Sequence, residues 1–184
     1  MKILPFQPPI QSEYDRRYIR DVFEQGGVII FPSDTAYGIA ADPRNGSAVG
    51  KIYSLKKRHF EHGVSCIFSS IEEAKHWALL SPENEKIFEV HLPGAFTFIV
   101  PSTEAYPMRG PVGVRIPESD LTRALQQILE APYTATSANI SGRPSLYSVR
   151  DVVREFEHAK EKPDIILDAG LLVAGRISTV IDLR

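Results

Sequence analysis

The apolar run Val28-Ile29-Ile30-Phe31, bounded by Gly26-Gly27 before it and Pro32 after it, constrains the fold more than any other feature. A run with no polar face reads as a strand buried on both sides, as in the parallel core of an α/β sheet. Such a strand needs helices above and below, and the flanking sequence supplies candidates. Upstream, Ser12 can cap a helix whose Tyr18, Ile19, Val22 and Phe23 form one apolar face. Downstream, Val49, Ile52 and Tyr53 recur at helical spacing within Ser47 to Leu55.

The same alternation continues along the chain. Strands are predicted at Val64 to Phe68, Thr97 to Val100, Val112 to Ile116, Tyr133 to Ser137, Ile165 to Leu167 and Thr179 to Leu183. Helices are predicted from Ser70 through Trp77, with Glu73 at capping-box spacing, from Ser81-Pro82, along Leu121, Ala124, Leu125, Ile128 and Leu129, and near Ser148 to His158. Several strands follow one another without a helix between them, which predicts a mixed parallel and antiparallel sheet flanked by helices. Strand order is not encoded in this pattern. The 184 residues, 43% hydrophobic and 24% charged, show no repeat or linker, so one domain over residues 1–184 is expected.

A formal net charge of −2 supplies no global positive field for nucleic acid or anionic membrane, although it leaves room for a local basic cleft. Cys66, the only cysteine, excludes an internal disulfide and a multi-cysteine metal site. No segment approaches about 18 consecutive apolar residues, and Met1 to Ile10 has three prolines and no long apolar core. A cytoplasmic protein with no membrane association is expected.

Four polar segments are candidates for chemistry. Phe31 to Gly38 is a hydroxyl-rich loop leaving the buried strand, and it reads equally as a turn capped by Asp34. Lys56-Lys57-Arg58 at a helix C-terminus reads either as a solvated helix end or as a phosphate ligand, with Lys56 and Arg58 converging if the segment is extended. Thr134 to Pro144 crowds hydroxyls and Asn139 at a strand exit, as a binding loop or as simple turns. Asp168-Ala169-Gly170 and Gly175 to Asp182 offer glycines and the hydroxyls of Ser178 and Thr179, again compatible with an ordinary loop into an edge strand. There is no Gly-x-x-x-x-Gly-Lys-Ser/Thr loop, no Gly-x-Gly-x-x-Gly fingerprint and no Gly-x-Ser-x-Gly elbow. A nucleotide site here is of another design, and no covalent catalyst is indicated.

Taken together and in order, the blocks Phe31 to Ala41, Ile52 to Arg58, Leu92 to Val100, Gly113 to Pro117, Thr136 to Pro144 and Ser178 to Leu183 resemble the family named after the bacterial YrdC and the archaeal and eukaryotic Sua5 proteins. The resemblance implies a twisted mixed sheet around a concave basic cavity and the activity of a threonylcarbamoyl-AMP synthase. Lys56 and Arg58 match its Lys-x-Arg pair, and Ser137 and Asn139 its Ser-x-Asn pair, both associated with nucleotide and phosphate. Lys56 and Arg58 would then be the catalytic cations. Thr35, Arg115 and Ser178 match positions associated with threonine. The sequence departs from the pattern at His59, Val64 and Ile177, where relatives commonly have proline or Pro-Leu. Ending at Arg184, it resembles the short form, since Sua5 proteins add a further domain.

The implied substrates are ATP, with Mg2+ accompanying it, bicarbonate or CO2, and L-threonine. The product serves N6-threonylcarbamoyladenosine modification of tRNA through downstream transfer proteins. No protein metal site is expected. The main alternative is a non-catalytic RNA-binding protein using the same cavity, which the acidic balance disfavours. Carbamoyl transfer of the hydrogenase-maturation kind lacks its zinc-binding cysteines here. A paralogue with another substrate is disfavoured by the presence of both the Lys56/Arg58 and the Ser137/Asn139 pairs.

Overall fold

The computed structural model describes residues 1–10, 12–59, 63–174 and 178–184. Its elements run β1 (Lys2–Pro5), α1 (Glu13–Glu24), β2 (Ile29–Pro32), β3 (Tyr37–Ala40), α2 (Gly46–Lys56), β4 (Ser65–Ile67), α3 (Ile71–Lys75), α4 (Pro82–His91), β5 (Phe96–Val100), β6 (Val112–Arg115), α5 (Asp120–Leu129), β7 (Tyr133–Ser137), α6 (Val149–Phe156), β8 (Ile165–Asp168) and β9 (Thr179–Asp182). Among the described residues, nine strands join in the order β1-β8-β2-β3-β7-β4-β6-β5-β9. The β1/β8, β2/β8, β4/β6 and β5/β9 pairs are parallel, and the β2/β3, β3/β7, β4/β7 and β5/β6 pairs are antiparallel. The expected mixed sheet flanked by helices is what forms.

Strand β2 explains why the sheet is covered on both sides. Ile29 and Phe31 enter one core with Ile19 and Phe23 of α1 and Leu125 and Ile128 of α5. Val28 and Ile30 point the other way, into a core with Ile52 of α2 and Val152 and Phe156 of α6. Alternation across the strand thus gives its unbroken apolar run two destinations. A third core, around Phe88, Phe98 and Val114, packs α3 and α4 against the β4-β6-β5 half of the sheet. Full burial of a side chain such as Phe23 or Ile30 contributes about 1.5–3 kcal/mol.

Four helix starts read from the sequence are capped as expected, by the side chains of Ser12, Ser70, Ser81 and Ser148. Glu73 departs from the capping-box expectation, because its carboxylate accepts from the Ser69 backbone N–H at 2.5 Å rather than from that of Ser70. Helix α3 stops at Lys75, short of the expected Trp77. Two strands were not expected. Strand β1 lies at the sheet edge and pairs only with β8, where Pro5 costs nothing on the unpaired side. Strand β3 falls within what reads locally as a polar loop, and its glycine and short length hide it.

Candidate functional site

The β2–β3 hairpin and β7 build the floor of a hydroxyl-rich cavity. Gly38 pairs with Ser137 and with Phe31, and a Cβ on it would stand 2.8 Å from the buried Phe31 ring. Only glycine lets the strands meet here. The cavity above measures about 300 Å3 and is lined by Ser33, Thr35, Ser65, Thr97, Ser137, Ser178 and Arg115, with Phe31, Ala135 and Val180 as apolar wall. Among the described lining residues Arg115 is the one charge, and hydroxyls supply most of the remaining polarity. Strand ends and their loops supply these groups, as is usual for ligand sites on open α/β sheets.

Arg115 closes β6 at one wall of the cavity and is only 9% exposed. Its Nη2 donates to Asp34 Oδ1 at 3.2 Å. Its Nε is buried and has no partner. A buried donor without an acceptor is costly, so an anion accepted beside it gains a hydrogen bond the folded chain cannot itself provide.

The hydroxyls are fixed by their neighbours. Ser33 Oγ donates to the Ala36 carbonyl at 2.6 Å and lies 3.1 Å from Thr35 Oγ1. With its proton committed there, Ser33 meets Thr35 as an acceptor, and Thr35 keeps lone pairs for a ligand donor. Across the cavity, Thr97 Oγ1 donates to Ser178 Oγ at 3.2 Å, which leaves the Ser178 proton for another acceptor. Tyr37 ties the floor to the loop after β8: its hydroxyl donates to Gly170 O at 2.8 Å and accepts from Ala169 N–H at 3.2 Å. Burial pushes its pKa up to about 12.

The Ser137 to Arg143 turn rests on Lys56. Its Nζ donates to the carbonyls of Ser137 at 2.5 Å and Asn139 at 3.0 Å, with longer approaches to their side chains. At 3% exposed, Lys56 is no solvated helix end. Burial, aided by the nearby Arg58 charge, lowers its pKa from 10.5 to about 8. Asn139 spends its amide on the carbonyls of Ile140 at 3.2 Å and Arg143 at 2.5 Å, so it shapes the turn. Of the two, Ser137 faces the cavity.

The structure therefore brings together Lys56, Ser137 and Asn139, and joins Ser137 to Thr35, Arg115 and Ser178 in one cavity. Arg58 stands apart. Lys56 ends α2 and Lys57 adopts the left-handed conformation, φ 49°, so the segment is not the extended one the spacing argument assumed, while the Arg58 charge still acts on Lys56. Arg58 donates to Gly63 O at 3.2 Å beside a separate cavity formed with Tyr53, Ser54 and His59. Gly175, one of the glycines expected to leave room for ligand, and the departure at Ile177 lie outside the described residues. Sequence reasoning did not single out Ser33, Tyr37 or Thr97. For Thr97 a signal exists: one hydroxyl inside the apolar strand Phe96-Thr97-Phe98-Ile99-Val100.

Comparison with known proteins follows the same lines. A family model described as telomere recombination, for the Sua5, YciO and YrdC proteins, matches residues 21–184. The threonylcarbamoyl-AMP synthase of Pyrococcus abyssi is 32% identical over 178 residues, covering 94% of this chain and 52% of that protein. A Methanocaldococcus jannaschii protein provisionally given the same name is 31% identical over 180 residues, covering 94% of this chain and 84% of that protein. The structure of P. abyssi Sua5 complexed with L-threonine matches with a TM-score of 0.88 at 31% identity, across 100% of this chain and 54% of that one. The chain thus spans about half the length of its Pyrococcus relative. Escherichia coli YciO, 21% identical over 99% of this chain and 89% of its own, shares the fold with a TM-score of 0.83.

Proposed function

The chain belongs to the family of Sua5, YciO and YrdC proteins, and on that premise we propose that it makes threonylcarbamoyl-AMP and pyrophosphate from L-threonine, bicarbonate or CO2, and ATP. The observation that carries this reading is the unpartnered, buried Nε of Arg115 beside a small hydroxyl-rimmed cavity. That arrangement suits a small amino acid bearing a carboxylate and a hydroxyl.

In this reading Arg115 pairs with the threonine carboxylate, and Thr35 and Ser178 meet its polar groups. The free amine captures CO2, losing a proton as the carbamate forms. A carbamate oxygen then attacks the α-phosphorus of ATP, and the bond to the departing pyrophosphate breaks. Charge gathers on phosphate oxygens, so the protein's task is to position reactants and supply donors and positive charge. Ser137 and the turn held by the Lys56 ammonium provide these, with Arg58 contributing its field nearby. Among the described residues no group of three or more His, Cys, Asp or Glu gathers. Mg2+ would enter with the phosphates of ATP, as is usual for this ion. The product is suited to tRNA adenosine modification by separate transfer proteins. No helix of the described chain is long and apolar enough to cross a membrane.

Pyrophosphate release by the purified protein tests this reading. It is expected only when threonine, bicarbonate, ATP and a divalent metal are all present. Release indifferent to threonine contradicts it.

A further inference from the structure

We propose that Glu155 is a positioning residue that, together with Lys56, fixes the nucleotide-facing turn Ser137 to Arg143. The proposal rests on the synthase reading for the identity of the ligand, and on geometry for the role of the carboxylate.

Glu155 lies near the end of α6, next to Phe156, whose ring is buried in the core shared with α2. That packing anchors the end of α6 beneath the turn. The Glu155 side chain is only 10% exposed, unusual for a carboxylate. Each of its oxygens has a partner in the turn. Oε1 accepts from the Ile140 backbone N–H at 2.9 Å, and Oε2 from Arg143 Nη1 at 2.9 Å. The negative charge also acts on Lys56, favouring its protonated form.

Beside its own backbone bonds and the Asn139 amide, the turn is thus held by opposite charges from two helices. Lys56 at the end of α2 takes carbonyls, and Glu155 on α6 takes an amide. Backbone carbonyls and amides in a non-repetitive turn have no ladder to satisfy them, so these two side chains substitute for one. Ser137 reaches the cavity from the first residue of this turn. Releasing Ile140 would let the turn relax and misplace Ser137 toward nucleotide, while Arg115, Thr35 and Ser178 on other elements keep their places. The Arg143 arm is different: Arg143 is 58% exposed, and such a pair contributes little by itself.

The discriminating variants are Glu155→Met, which fills the space without accepting, and Glu155→Gln, whose amide oxygen can still accept from Ile140. ATP affinity is read by calorimetry and the substrate KM values by pyrophosphate release. Glu155→Met should weaken ATP binding by about tenfold or more, the factor expected for one lost hydrogen bond to a charged group. Its KM for threonine should stay within about twofold, because that site sits on other strands, and Glu155→Gln should restore ATP affinity to within about threefold of wild type. Arg143→Ala should also remain within about threefold. Unchanged ATP affinity in Glu155→Met overturns the proposal. So does a parallel loss for both substrates with a falling Tm, or a Glu155→Gln protein as impaired as Glu155→Met. A wild-type protein that binds no ATP overturns it too. A wild-type protein that binds ATP without threonine-dependent release refutes the synthase reading and leaves the affinity comparison to decide the role of Glu155.

Discussion

At the residue scale, the site is defined by polar groups whose bonds are incomplete or strained by burial, and Arg115 and Lys56 are the two extremes. Arg115 holds one contact to Asp34 and an unused Nε. A planar fork matches a carboxylate where an ammonium does not, so Arg115→Lys should not rescue function. Both Arg115→Lys and Arg115→Ala should lower kcat/KM for threonine by about 10²-fold or more, with ATP binding much less affected. Serine, lacking one methyl, should remain a poor substrate, worse by about 1–3 kcal/mol, whereas valine should be rejected by about 10⁴-fold because it leaves buried hydroxyls unpaired. Valine used as well as serine would contradict this assignment. Lys56 predicts a pH signature. Its folded-state pKa, about 8, is below the ordinary 10.5, so between those values the unfolded chain holds a proton the folded chain has lost. The Lys56 contribution to stability therefore rises with pH across that window, as the cost of a buried charge is relieved. If Lys56 supports phosphate binding as proposed, its charge is lost over the same range, so kcat/KM for ATP should fall as pH passes about 8. Denaturation of wild type and Lys56→Met across pH 7–11, set beside the pH–rate profile, checks both signs; activity and stability falling together would refute the role.

At the scale of elements, the hairpin β2–β3 matters most, because it carries Ser33, Thr35, Tyr37 and Gly38 to the cavity. Gly38→Ala should destabilise the protein by about 1–3 kcal/mol, since the new methyl meets a fully buried ring with no room to retreat. Its threonine and ATP affinities should fall further than the Tm alone explains, because the strand that moves is the cavity floor. A Gly38→Ala protein with wild-type Tm, read by calorimetry, would show that the β2–β3 approach is looser than the structure has it. Elements also show what sequence patterns can and cannot reveal. The serine starts of α1, α3, α4 and α6 and the apolar faces of α1, α2 and α5 were legible because capping and helical periodicity are local. Strand β1 was not, since Lys2–Pro5 is made a strand by β8, distant in the chain, and β3 was not, since a four-residue strand holding a glycine shows no alternation of its own beside β2. The backbone between Lys56 and Arg58 was also not legible, because the left-handed Lys57 that replaces the assumed extended segment leaves no residue-type signal.

At the scale of the molecule, the strand order threads β8 between β1 and β2 and sets β7 between β3 and β4, so residues far apart in sequence meet. Thr35, Thr97, Arg115, Ser137 and Ser178 share one cavity for that reason. Each of their segments admitted an ordinary turn or edge-strand reading alone. The order of the blocks along the chain, matched as a set to one family, made Thr35, Arg115, Ser137 and Ser178 joint candidates, whereas Thr97 was not among them. Contacts such as Thr97 to Ser178 and Glu155 to Ile140 depend wholly on the tertiary fold and had no counterpart in the sequence. The central claim is that this arrangement joins threonine, carbon dioxide and the AMP moiety of ATP. Mass spectrometry of a reaction containing carbon-13 bicarbonate, ATP and threonine tests it directly. The account predicts an adenylate carrying the label, formed only when threonine is present and absent with Arg115→Ala. An ATP-binding protein that forms no labelled adenylate, or one that instead binds RNA tightly without turnover, would contradict it.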